Sequence, residues 1–300
     1  MQTRLNPYLI YPKDRSCSDR LWERFSRRAD GDELDCRNDY EAALIEEWRR
    51  CAEGGIDAAT QRIPVVAPDD FRRLLEDRKV LVERARPLLE QTRESLSGVP
   101  GIVILADGEG TILHVVGDPE MTSTAAEQSN LVEGGRFHES LAGTNGIGTA
   151  IAKRMPVHIS FSEHYLEGGH IWACAGAPIF DPLTREVLGV IDFTTIDERY
   201  GETAVALSCS LARKAMAELR LQREMERLVL TGSFFEYGSR YPSDDVIVID
   251  RAGRIVRSNS HAHPTRAASS SAALLWQAFP VSMPASDERI GTAIVARRQG

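Results

Sequence analysis

The sequence predicts an α+β fold. Apolar stripes at three-and-four spacing run between residues 39 and 96 and again between 199 and 230. Between them, from 102 to 194, short apolar runs alternate with turn residues, the texture of a sheet. The composition, 42% hydrophobic and 27% charged over 300 residues, is that of a globular chain with room for about two domains.

Residues 1–38 are polar with scattered aromatics (Tyr8, Tyr11, Trp22, Phe25) and read as a loosely ordered tail. From Asp39 to Cys51, Tyr40, Leu44, Glu47, Trp48 and Cys51 share one helical face, and Gly54-Gly55 ends that helix. Asp69 or Asp70 can cap a second helix, with Phe71, Leu74, Leu81, Ala85, Leu88 and Leu96 along its stripe. Pro87 should kink or interrupt it. Ile102–Ala106 and Ile112–Val116 flank Asp107-Gly108-Glu109-Gly110, a hairpin signal. Thr144 or Asn145 can cap a helix through Ile147 and Ala150 to Arg154. Val157–Phe161, Trp172–Ile179 and Val187–Thr194 read as strands.

Arg199 to Leu230 reads as one amphipathic helix of roughly 45 Å, stopped at Thr231-Gly232. It can cover a sheet face, or pair across a dimer and transmit a signal. Val246–Asp250 and Arg254–Arg257 form a second hairpin signal. Residues 260–286 are weakly patterned, and Ile290–Ile294 repeats the pentapeptide Ile147–Ile151, a match expected by chance. The organisation is therefore a tail at 1–38, a helical region at 39–98, a sheet domain at 99–200, a long helix at 201–232 and a further piece at 243–300.

The 44 acidic side chains outnumber the 36 basic ones, giving a net charge of −8. That balance disfavours a dedicated nucleic-acid module, whose affinity comes largely from phosphate neutralisation. None of the five cysteines forms a Cys-x-x-Cys pair, so reduced thiols are expected rather than a disulfide framework or zinc ribbon. No apolar run approaches a membrane span, and the first residues lack a signal-peptide pattern. A cytoplasmic protein without membrane contact is expected.

The chemistry-bearing candidates lie between 136 and 194. Gly143-Thr144-Asn145-Gly146-Ile147-Gly148 lacks the lysine of a phosphate loop and is expected to serve helix entry and close helix–sheet approach. His158, His164 and His170 recur every six residues without matching a compact metal site, so no metal and no cofactor are expected. His164 is kept as a polar anchor. In Trp172–Pro178, Trp172, Cys174 and Gly176 should face one way and Ala173, Ala175 and Ala177 the other. A ligand cavity, mostly apolar with a few polar groups, is expected from Phe137, His138, Phe161, His164, Tyr165, Trp172 and Cys174. Asp192, within a strand-like run, is expected to begin a turn or accept backbone hydrogen bonds. No nucleophile elbow, His-Glu-x-x-His or paired-carboxylate signature is present, so no enzyme is expected.

The blocks Arg136–Ala150, Pro156-Val157, Glu163-His164-Tyr165, Trp172-Ala173-Cys174, Ala177-Pro178-Ile179, Asp181-Pro182 and Leu188–Asp192, with Leu44–Asp57 before them, carry a family pattern. In order and spacing they resemble the GAF-type sensor region of acetoin-catabolism regulators, which are sigma-54-dependent transcriptional activators. The resemblance runs from about Asp39 to Leu230, and the hairpin after Val246 resembles a PAS-type start. It implies a GAF-like antiparallel sheet with packed helices, a helical N-terminal region, a long signalling helix and a PAS-like C-terminal piece. It also implies a homodimer that binds a small-molecule effector (a ketone, alcohol, diol or aromatic) and acts on transcription. The ATPase of those activators, with its Gly-x-x-x-x-Gly-Lys-Ser/Thr loop, and their DNA-binding helix-turn-helix have no counterpart in this sequence. The chain is thus expected to be a sensor whose contact with DNA and transcription machinery lies on another segment. A haem or redox sensor and a GAF-fold thiol redox enzyme are the alternatives. Trp172→Ala is expected to weaken effector response in a reporter assay while the domain stays folded.

Overall fold

The computed structural model describes residues 15–27, 34–96, 98–242, 245–250, 254–259 and 292–296. The chain divides into two compact units, 1–219 and 220–300.

The first unit is built on a five-stranded antiparallel sheet: β1 (Gly101–Asp107), β2 (Ile112–Gly117), β3 (Val157–Ser160), β4 (Ala173–Phe180) and β5 (Val187–Thr195). The strand order is β2-β1-β5-β4-β3. Its helices are α1 (Arg15–Ser26), α2 (Asp39–Glu53), α3 (Pro68–Asp77), α4 (Lys79–Ser95), α5 (Pro119–Ser129), α6 (Glu139–Ala142), α7 (Gly146–Lys153) and the first part of α8 (Gly201–Arg240).

Alternation along the strands sorts the side chains onto two buried faces. One face carries Val103, Leu105, Ala175, Ala177, Ile191 and Phe193, and it is covered by Leu81, Ala85 and Leu89 of α4 and by Leu211, Ala212 and Ala215 of α8. The other carries Ile102, Ile104, Ile159, Cys174 and Val190, and it packs with residues of α1, α2, α5 and α7. The expected division between Cys174 and the alanines of β4 is therefore observed.

Several elements differ from expectation. The segment read as a tail contains α1, whose Leu21, Trp22 and Phe25 are buried beside Trp48 and Tyr165. Burial of three large apolar side chains outweighs the polar composition around them. The second helix is two helices, broken at Arg78, and Pro87 lies inside α4. Helix α8 continues past Gly232 to Arg240. In the second unit, Leu230 of α8, with Phe234 and Tyr237, packs against Val246 and Val248, and this burial offsets the poor helix propensity of Gly232 and Gly238. That unit also holds a three-stranded antiparallel sheet, order β7-β6-β8, from β6 (Asp245–Ile249), β7 (Ile255–Ser258) and β8 (Thr292–Ala296). The weakly patterned stretch 260–286 lies outside the described residues.

Helix α7 begins where Asn145 accepts the amides of Ile147 at 2.9 Å and Gly148 at 2.8 Å. It then lies directly on β4: a Cβ at position 176 would stand 1.9 Å from the Gly146 carbonyl oxygen. Gly176→Ala should therefore destabilise the protein by about 3 kcal/mol, the upper end of overpacking costs, because backbone cannot rotate away. Gly232→Ala, with open space around it, should stabilise by about 0.5–1 kcal/mol through helix propensity. Urea unfolding of both variants measures the contrast, and equal effects would contradict the packing described.

Candidate functional site

On the α7 face of the sheet, a cavity of roughly 480 Å³, part of it at its mouth, opens between β4, β5, α7 and the segment before β4. Four of the seven expected residues meet in its wall: Phe137, His164, Trp172 and Cys174. Each is held by local structure. Trp172 donates its indole N–H to Ser129 Oγ at 2.8 Å, leaving the ring as wall. His164 Nδ1 lies 3.0 Å from the Phe161 carbonyl oxygen. Cys174 follows Trp172 by two residues on the same side of the chain. Burial pushes its thiol well above the usual range, so the sulfur is a neutral wall atom rather than a nucleophile.

The other three stand elsewhere. His138 is half-buried and caps α6, accepting the Ser140 amide. Phe161 is buried with the Arg15 guanidinium 4.1 Å from its ring centroid. Tyr165 packs edge-on to Trp22 and donates its hydroxyl to the Ile56 carbonyl at 3.1 Å. Of the remaining histidines, His158 is buried beside Ser160, and His170 packs edge-on to Trp22, with burial holding its pKa below the usual value. Among the described residues no group of three His, Cys, Asp or Glu side chains is placed to hold a metal.

Sequence reasoning gave Asp192 a turn or backbone role, whereas it sits mid-strand in β5, opposite Gly176 and 1% exposed, in the cavity wall. The signal was available: Asp192 lies two residues from Val190 and from Thr194, and strand alternation puts all three on one face. Its Oδ2 accepts the Thr194 hydroxyl at 2.6 Å, and Thr194 Oγ1 lies 3.3 Å from Cys174 Sγ. Its Oδ1 has no hydrogen-bond partner among the described residues. The remaining polar wall groups are largely engaged. Asn145, for example, gives both amide hydrogens to the Phe137 and Gly143 carbonyls and takes two backbone amides on its oxygen.

This is a mostly apolar cavity on a helix-covered antiparallel sheet, and the fold fits the GAF-like class. The chain belongs to the family described as the MimR N-terminal domain, whose model matches residues 36–218. It is 29% identical over 216 residues to the propane 2-monooxygenase operon transcriptional activator MimR of Mycolicibacterium smegmatis, covering 70% of this chain and 36% of that protein. It is 28% identical to the acetoin dehydrogenase operon transcriptional activator AcoR of Bacillus subtilis, covering 72% of this chain and 35% of that protein. The chain thus spans about a third of the length of these curated relatives, which are regulators rather than enzymes. The crystal structure of the Escherichia coli DhaR(N)–DhaL complex contains a chain of similar fold, with TM-score 0.60 and 19% identity, over 84% of this chain and 97% of that one. No helix among the described residues is long and apolar enough to cross a membrane.

Burial raises the Asp192 pKa from 3.8 to about 6, and the Thr194 hydrogen bond opposes that rise. A carboxyl that binds its proton more tightly when folded favours folding at low pH, and this contribution is lost as pH climbs from about 4 through 6. Above pH 6 the ionised group costs roughly 3 kcal/mol relative to its ordinary ionisation. Asp192→Asn should therefore melt at a higher temperature than the parent at pH 8, with the advantage gone at pH 4. Thermal denaturation at the two pH values checks this, and a pH-independent difference would refute it.

Proposed function

We propose that the first unit is the sensor of a transcriptional activator and that the cavity beside Trp172 and Cys174 receives a small organic metabolite. The observation that carries this is the cavity itself, a preformed and mostly apolar space in an otherwise closely packed sheet–helix layer. The relatives' names support a small effector, since they tie those activators to operons for propane 2-monooxygenase and acetoin dehydrogenase. The finer class, a ketone, an alcohol, a diol or an aromatic, belongs to this reading.

An effector acts by binding one arrangement of the unit better than another. Residues 99–200 form the GAF-like sensor, residues 39–98 brace it, and α8 is the signalling element. In the second unit, Leu221, Met225, Leu228 and Phe235 of α8 are 56%, 59%, 71% and 64% exposed. Their spacing of four, three and seven residues makes one apolar seam of coiled-coil type, which supports a homodimer paired along this helix. The piece from 243 onward serves as a PAS-like module. DNA and the transcription machinery are engaged, in the cytoplasm, by a segment outside this sequence.

A thermal-shift screen of the 300-residue chain against small alcohols, ketones, diols and aromatics tests the reading. One class should raise the melting temperature saturably, by about 2.7 kcal/mol of stability at a hundredfold excess over its Kd. Trp172→Ala is a poor wall probe, because removing a buried Trp costs about 3–5 kcal/mol on its own. Ala142→Met, at a lining position, places a longer chain in the cavity and should abolish the shift while the near-ultraviolet circular dichroism persists. A blank screen across all four classes would exclude the sensor reading.

A further inference from the structure

We propose that Asp192 is the polar anchor of the cavity and that the effector is a small neutral mono-alcohol whose hydroxyl donates to Asp192 Oδ1. This rests on the reading of the cavity as the effector site.

Asp192 presents a buried carboxylate oxygen without a partner among the described residues, and its other oxygen is occupied by Thr194. Position 146 keeps that oxygen open: a Cβ there would lie 2.3 Å from Oδ1 and 2.7 Å from Cys174 Cβ. Glycine at the start of α7 therefore clears a space directly in front of the unpaired oxygen.

The wall's other polar side chains are committed to the protein. Asn145 is saturated. Ser129 Oγ accepts from Trp172 and donates to the Gly168 carbonyl at 3.2 Å. The cavity thus offers one strong acceptor among mostly apolar neighbours, and the chemistry of its complement follows from that count. A ketone brings only lone pairs, which an ionised carboxylate repels. A carboxylic acid at neutral pH brings a second negative charge. An alkylammonium satisfies the charge but carries three N–H donors into a site with one free acceptor, after losing a large hydration energy. A diol leaves its second hydroxyl without an assigned partner. A single hydroxyl on an apolar body supplies one donor and matches the site.

The test is isothermal titration of the full chain at pH 8 with three size-matched probes: 2-butanol, 2-butanone and 2-butylamine. The alcohol should bind at least tenfold more tightly than either other compound. In Asp192→Asn the amide oxygen keeps the Thr194 hydroxyl, so the NH₂ group turns to the cavity and the ranking should invert in favour of the ketone. Equal or tighter binding of ketone or amine by the parent chain, or an unchanged alcohol preference in Asp192→Asn, overturns the proposal. Should that variant fail to fold, the parent ranking decides alone. No binding by any of the three also overturns the alcohol assignment. Only a blank result across the wider thermal-shift screen removes the sensor reading with it.

Discussion

The seating of α7 on β4 without an intervening side chain fixes the geometry around it. Gly176 brings the helix backbone against the strand, and Gly146 lets the first turn lie over Asp192 and Cys174. Asn145 closes the helix start and ties it to the Phe137 and Gly143 carbonyls, so the approach loop and the helix are one hydrogen-bonded piece. The cavity lies beside this piece. Its position follows from two absent side chains and one saturated amide more than from any large residue in its wall.

The N-terminal helices complete the unit. Buried Glu47 of α2 pairs with Lys153 at the end of α7 and with Arg50, which reaches Glu139 of α6 at 2.9 Å. Glu139 in turn accepts the Thr149 hydroxyl at 2.9 Å. On the other side of α2, Tyr40 donates to the Glu163 carboxylate, and Trp48 donates to the Glu163 carbonyl at 3.0 Å. Helix α2 thus grips both ends of the segment from 139 to 163. The matched family region begins at residue 36, just before this helix, as expected if α2 is part of the fold and not a preface to it.

Strand runs and helix stripes were legible because local periodicity decided them: all five strands of the first sheet fall within a residue or two of expectation. Where long-range contacts decided, the sequence misled. Helix α1 is polar in composition and is held by Trp48 and Tyr165, far along the chain. Helix α8 passes two glycines because its partners lie in β6. The repeated pentapeptide makes the point most directly: in the first copy it is helical, within α7, whereas Thr292–Ile294 of the second copy lie in a strand paired with β6. Of the site, the aromatic and sulfur wall was readable from alternation in β4. Asp192 was undervalued because its significance depends on which of its two oxygens finds a partner, and no local pattern encodes that.

The scale of the cavity also bounds how sensitive such a detector can be. Even very efficient tiny ligands gain only roughly 1.5 kcal/mol per non-hydrogen atom. An effector of about five such atoms therefore reaches, at best, a dissociation constant of a few micromolar. A chamber this small can register the bulk level of an abundant carbon source, but it is intrinsically deaf to trace signals. Its threshold would be set by metabolic flux instead of scarcity.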